Sequence, residues 1–161
     1  MKKYILMALL IQNWLFAEST FHFRETRYFY ALDQTIALEG DITFRESSIL
    51  LEYSQPEQKL LTFFENTLSI QDAQGYRMID TNTTPMLRYF FLILQAIHEE
   101  NQTLLQTFFD IQKQGETQRL VPKDIAKEAL EEVIVAMHQH QVHSLQVKIK
   151  NGDRITIEIK N

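Results

Sequence analysis

The chain alternates apolar and polar positions over most of its length, and the alternation slips once in an informative place. In "GDITFRESSILLEY", Gly40 to Tyr53, the apolar positions Ile42 and Phe44 are even, whereas Ile49, Leu51 and Tyr53 are odd, with Leu50 between them. A shift of one residue moves side chains to the other sheet face, so Glu46-Ser47-Ser48 is expected to be a turn or bulge between two strands. Upstream, Phe21 and Phe23, then Ile36 and Leu38, predict strands with a turn near Gly40. Downstream, "KLLTFFENTLSIQD" predicts a hairpin that turns at Glu65-Asn66, and "AQGYRMIDTN" a short strand after Gly75.

The period changes at Thr83. Pro85 suits the first helical position and Thr84 the N-cap. Met86, Tyr89, Phe90, Ile93, Leu94 and Ile97 form an i, i+3, i+4 stripe, and Leu87 and Phe91 widen it. A helix apolar over most of its circumference needs cover on most sides, as core or as the occupant of an apolar trough. "TLLQTFFDI" is expected to be helical as well, and "TQRLVPK" a short extended piece ending at Pro122. "PKDIAKEAL" starts another helix, and "EEVIVAMHQ" alternates as a strand. The last element, "HSLQVKIKNGDRITIEIKN", sets Leu145, Val147 and Ile149 against Ile155, Ile157 and Ile159. Matching those faces favours a three-residue loop, Asn151 to Asp153, that pairs Ile149 with Ile155. The opposite face is polar, so the hairpin is wet on one side only. Many antiparallel strands with one apolar face, interrupted by one very apolar helix pair, predict a mainly β (α+β) fold: a curved sheet wrapped around helices.

The N-terminus follows different rules. Lys2 and Lys3 precede an uncharged, mostly apolar run from Tyr4 to Phe16, then the small Ala17. This is the pattern of a secretory signal peptide, 1–17, cleaved after Ala17. The competing reading, an uncleaved anchor, suffers from the run being shorter than the about 20 residues a span needs. With Lys2 and Lys3 removed, Lys plus Arg falls from 16 to 14 against 21 Asp plus Glu, a net charge of −7. An acidic domain without a basic run has little to hold nucleic acid. No cysteine is present, so an exported chain must be held by its core rather than by disulfides. The remaining 18–161 has the size of one domain, expected to be a monomer.

No nucleophile elbow, metalloprotease helix or cysteine nucleophile occurs, so no enzyme is expected, no catalytic residue and no cofactor. His138, His140 and His143 in "MHQHQVH" could be metal ligands. Without an acidic partner in the motif they read more simply as solvated, so no metal is expected.

The order of these elements resembles the outer-membrane lipoprotein carrier (LolA) family and its LolA-like relatives. The residues that carry the resemblance are "FRE" at Phe23 to Glu25, "GDITFRESSILLEY", Pro56, "LLTFFENTLSI" at Leu60 to Ile70, the apolar helix, "RLVPK" and the terminal "NGDRITIEI". The resemblance implies an open, incomplete antiparallel β-barrel with helices covering its concave apolar face. It implies a periplasmic carrier that takes lipoprotein acyl chains or another lipid in a hydrophobic trough. It would collect them from an inner-membrane lipoprotein exporter and pass them to an outer-membrane receptor. On that reading Ile42, Phe44, Leu50, Phe63, Leu68 and Ile70 line the trough, with the face of Leu50 left open by the slip. Met86, Leu87, Phe90, Phe91 and Leu94 belong to a lid helix.

Three departures stand out. Only "EST" separates the signal peptide from the first Phe-rich strand. The family's Arg-Pro falls on Glu46-Ser47, leaving Arg45 one place early as a candidate lid latch. The single Trp, Trp14, lies in the signal peptide. They point to a specialised member of the group.

A lid has a physical rationale. Burying about twenty methylenes would be worth roughly 16 kcal/mol gross at about 0.8 kcal/mol each, too tight for release. A competing apolar helix lowers that. The rival reading is a secreted sheet-based protein-interaction module in which the apolar helix is simply core.

Overall fold

The structure, a computed structural model, describes residues 18–160. The expected signal peptide, its cleavage point and Asn161 lie outside the described residues. Six strands form an uninterrupted meander: β1 (Ser19–Phe29), β2 (Gln34–Phe44), β3 (Ser48–Gln55), β4 (Lys59–Phe64), β5 (Thr67–Asp72) and β6 (Gly75–Asp80). Two helices follow, α1 (Pro85–His98) and α2 (Gln102–Phe108). A second meander completes the chain: β7 (Phe109–Gln114), β8 (Thr117–Pro122), the single-turn helix α3 (Ala126–Ala129), β9 (Leu130–His138), β10 (Gln141–Ile149) and β11 (Arg154–Lys160).

All strands join one antiparallel 11-stranded sheet in the order β6-β5-β4-β3-β2-β1-β11-β10-β9-β8-β7. The two meanders are welded at β1–β11. The outer strands β6 and β7 do not pair with each other, so the barrel stays open, with α1 and α2 making the connection between its two edges. Alternation explains the layering: odd residues of β1 and even residues of β2 face the concave side, so Phe21 lies opposite Ile42 and Phe23 opposite Gly40. The core unites both meanders with α1 in one cluster that includes Phe23, Leu51, Phe91, Ile93, Leu120, Val133 and Val147.

The turn at Glu46-Ser47 and the turn at Glu65-Asn66 stand as the periodicity predicts. The predicted turn near Gly40 does not exist; β2 runs straight through it. The reversal sits at Tyr30–Leu32, a 3-10 turn closed by Asp33 in the left-handed region, φ 47°. Gly40 serves close approach instead. A Cβ there would lie 2.2 Å from the carbonyl oxygen of Glu52, where the β2–β3 register shifts.

The C-terminal hairpin keeps the predicted faces but not the predicted register. Val147 pairs with Ile155 and Leu145 with Ile157, two residues away from the expected match. Asp153 causes the slip: its carboxylate accepts from the Tyr30 backbone N–H and from the Asn151 amide, and Ile149 N–H donates to its carbonyl. A longer loop docks on the β1–β2 turn. "TLLQTFFDI" is helical only to Phe108, because Phe109 pairs with Pro122 and is fully buried. α1 starts at Pro85 as expected, but the Thr84 hydroxyl makes no cap.

Candidate functional site

The concave face has two halves. Over β3–β5 it is filled. The Phe91 ring of α1 stacks on Phe63 at 4.7 Å and 4°, and Phe90 meets Phe91 edge-on at 5.3 Å. Leu68 and Ile70 are buried in the same cluster. Tyr89 packs edge-on against Phe108 of α2 at 5.7 Å, tying the two helices together.

Over β1, β2 and β9–β11 the face is not filled. A cavity of ≈570 Å³ lies between these strands and the last turn of α1, inside the about 300–1,000 Å³ range of ligand sites. Its walls are Phe21, Ile42, Phe44, Leu94, Ile97, Leu105, Val135, Met137, Val142, Leu145, Ile157 and Ile159. His98, Glu100, Gln102, Lys113, Gln118, His140 and Gln141 also line it. Antiparallel pairing places the β2–β3, β7–β8 and β9–β10 turns at this one end of the strands. The lining is mainly apolar, with His140 and Gln141 at the β9–β10 turn and Gln118 opposite the wall residue Val135. A second hollow, ≈1230 Å³, is bordered by Asp41, Glu52, Glu57, Lys59, Asp72 and Arg77. Its charged border suits no apolar ligand.

Of the sequence-derived trough residues, Ile42, Phe44 and Leu94 line the cavity. Phe63, Leu68, Ile70, Phe90 and Phe91 face the same side but sit in the packed half. Met86 and Leu87 are half-buried against that core. Leu50 is misassigned. It pairs with Thr43 and Thr62 between the concave-facing Ile49 and Leu51, so it is buried on the outer face.

Arg45 is misassigned too. Its guanidinium holds the Glu18 carboxylate at the surface, and no carbonyl of α1 accepts from it. The contact that does join the β2 tip to the end of α1 is Phe44 stacked on His98, 4.0 Å apart at 8°. Burial holds the His98 imidazole below its ordinary pKa, with the Glu99 carboxylate pulling the other way, so the ring stacks as a neutral group at neutral pH. Sequence reading passed over His98 and the walls supplied by β9–β11. The signal for the latter was present: the C-terminal hairpin had a complete apolar face and no assigned partner.

One polar cluster interrupts the concave face. Glu25 is fully buried; Tyr53 Oη donates to one carboxylate oxygen at 2.6 Å, and Arg27 Nε donates to the other. Arg27 also reaches Tyr53 Oη, at 3.2 Å. Burial and the Glu25 charge push the Tyr53 phenol far above its ordinary pKa, so it stays a neutral donor. For Arg27, burial pulls down, but Glu25 outweighs it and the pKa is raised. His138 faces Glu116 at 3.7 Å, both exposed. Among the described residues no cluster of metal-ligating side chains forms, and no helix is long and apolar enough to cross a membrane.

No family model and no curated protein matches this chain. Among solved structures it is similar to a DUF1329 family protein from Desulfovibrio piger, with TM-score 0.44 and 9% identity, covering 89% of this chain and 84% of the other. It is also similar to an outer membrane lipoprotein-sorting protein domain from Vibrio parahaemolyticus, with TM-score 0.42 and 7% identity, covering 91% and 84%. Similarity this distant says nothing of ligand or partner.

Proposed function

We propose that this is an exported, non-enzymatic carrier that shelters acyl chains in the cavity beneath the end of α1. The observation that carries the reading is the cavity itself: ≈570 Å³, with twelve of its nineteen lining residues apolar. An acyl chain buried there gains up to about 0.8 kcal/mol per methylene, and the packed half of α1 keeps the fold intact while the site is empty. The cargo would be the acyl chains of a lipoprotein, or another lipid, carried through the periplasm. Handover would run from an inner-membrane exporter to an outer-membrane receptor, without cofactor or nucleotide, as a single-domain monomer. A partner-binding module is the second reading. It is favoured by the free edge strand β6, whose Tyr76 and Met78 are exposed.

Phe63, expected to line a half-empty trough, is stacked on Phe91, so a Trp there would overpack the core. Phe21 is the better reporter position, being 36% exposed on the cavity wall. Phe21→Trp, measured against the parent chain as blank, is expected to shift its emission on addition of a long-chain fatty acid. Affinity should rise with chain length until the cavity is full. A folded Phe21→Trp protein with flat emission and no chain-length dependence would sink the carrier reading and favour the module.

A further inference from the structure

We propose that the cavity takes a single-chain lipid with an anionic head, lying across the strands, its head on Lys113 of β7 and its tail against Phe44 of β2; this rests on the carrier reading.

The cavity is long across the sheet and short along it. Its lining draws on seven strands that are consecutive in the sheet, from β7 through β8, β9, β10, β11 and β1 to β2. Six strand spacings of about 4.8 Å make roughly 29 Å along the curved sheet. On no strand do more than two same-face positions line it: Val135 and Met137 on β9, for example, or Ile42 and Phe44 on β2. Two such positions are about 7 Å apart. The fully buried Phe23, Val133 and Val147 close the inner end on β1, β9 and β10. An acyl chain laid along the strands would find room for only a few methylenes. Laid across them it finds the whole cavity, whose ≈570 Å³ suits one ligand of moderate size.

That crosswise path is polar at one end and apolar at the other. β7 and β8 contribute only Lys113 and Gln118, which are register partners. β11, β1 and β2 contribute only Ile157, Ile159, Phe21, Ile42 and Phe44. Alternation puts Lys113 on the face of Phe109 and Ile111, which pack in the core. Lys113 is the only lysine or arginine in the lining, and it forms no ion pair with a carboxylate among the described residues. The only carboxylate in the lining, Glu100, belongs to the other end. His98 stacks on Phe44, and Glu100 follows it by two residues, so their backbones stay within about 7 Å. His140 and Gln141 stand to the side, at the β9–β10 turn. A negative head is therefore attracted to the β7 end and repelled from the β2 end. The methylenes have the opposite preference, because apolar burial is available along β11, β1 and β2.

The test is titration calorimetry at low salt with dodecanoic acid and with dodecanol, which share a chain and differ in the head. Lys113 is exposed, so Lys113→Met is expected to fold as the parent does. It should bind the acid about two- to fivefold more weakly, the range of an exposed ion pair, and the alcohol as before. Lys113→Arg should keep the parent's affinity for the acid. Equal affinity of Lys113→Met and parent for the acid, or an equal loss for acid and alcohol, overturns Lys113 as the head site and leaves the carrier reading standing. A parent protein that binds neither ligand takes down the carrier reading and this proposal with it. A second measurement needs no variant. A spin label on the terminal carbon of a bound fatty acid is expected to broaden the amide resonances of Ile42 and Phe44 most. A label beside the carboxylate is expected to broaden those of Lys113 and Gln118 most. The reverse pattern overturns the orientation. Broadening at His140 from one label and at Val147 from the other would mean a chain lying along the strands, and overturns the crosswise path.

Discussion

The two halves of the concave face are built from the same kinds of residue and do different things. Around Phe63, α1 inserts Phe91 and the space is gone. Around Leu145 and Ile157, the last turn of α1 stands back and a cavity remains. Apolar character alone does not separate lining from core. What separates them is whether the opposing helix has a side chain long enough to reach. The filled half anchors the helix, and that frees the other half to stay open.

The sharpest way to break this contrast is to empty the filled half. Phe91→Ala is expected to cost about 3–5 kcal/mol in urea unfolding, whereas Phe21→Ala, on the open wall, should cost far less. Equal losses would mean that the two halves are one core. Next comes the sheet that carries both. Gly40→Ala drives a methyl onto the Glu52 carbonyl and is expected to cost about 1–3 kcal/mol, as overpacking does; an unchanged midpoint would show that β2 and β3 can separate there.

A pH scan sharpens the comparison from the outer surface. Behind the open half, Glu132 on β9 binds Lys148 on β10 and Arg119 on β8. Those two hydrogen bonds hold its carboxyl below the ordinary value, against the opposing effect of burial. A depressed folded-state pKa gives stability that is present above the unfolded carboxylate pKa and is lost as pH falls through the folded one. The melting temperature should therefore drop across that acidic window, and Lys148→Met should flatten the drop. An identical acid profile in the variant would show that the triad contributes nothing to holding these strands.

The smallest effect concerns Arg45. Its exposed pair with Glu18 should be worth no more than about 1 kcal/mol, so Arg45→Leu is expected to leave both stability and the rate of fatty-acid exchange near the parent's. Accelerated exchange would restore Arg45 as a latch. His98→Ala, which removes the ring stacked on Phe44, is the matched control and should speed exchange.

Much of this fold was legible from local pattern. Period-two alternation marked β3, β4, β5, β9 and β11, and Pro85 marked the start of α1, because these features depend on neighbours only a few residues away. Gly40 misled for the same reason. Locally a glycine signals a turn, and only the approach of Glu52 from another strand gives it a different task. The hairpin register followed the same rule: matching apolar faces allowed more than one alignment two residues apart, and a backbone N–H at Tyr30, far away in sequence, selected one. Leu50 and Arg45 were assigned by position in a motif; the pairing of β2 with β3 and the nearness of Glu18 decided where they went. The residue pattern by itself determined an antiparallel sheet with an apolar inner face and an apolar helix to meet it; that the sheet stays open was only what the resemblance implied. Which half of that face the helix fills, which half stays empty, and where the buried Glu25 stands depended on tertiary structure. Those outcomes turn on distances between elements, and no local period records them.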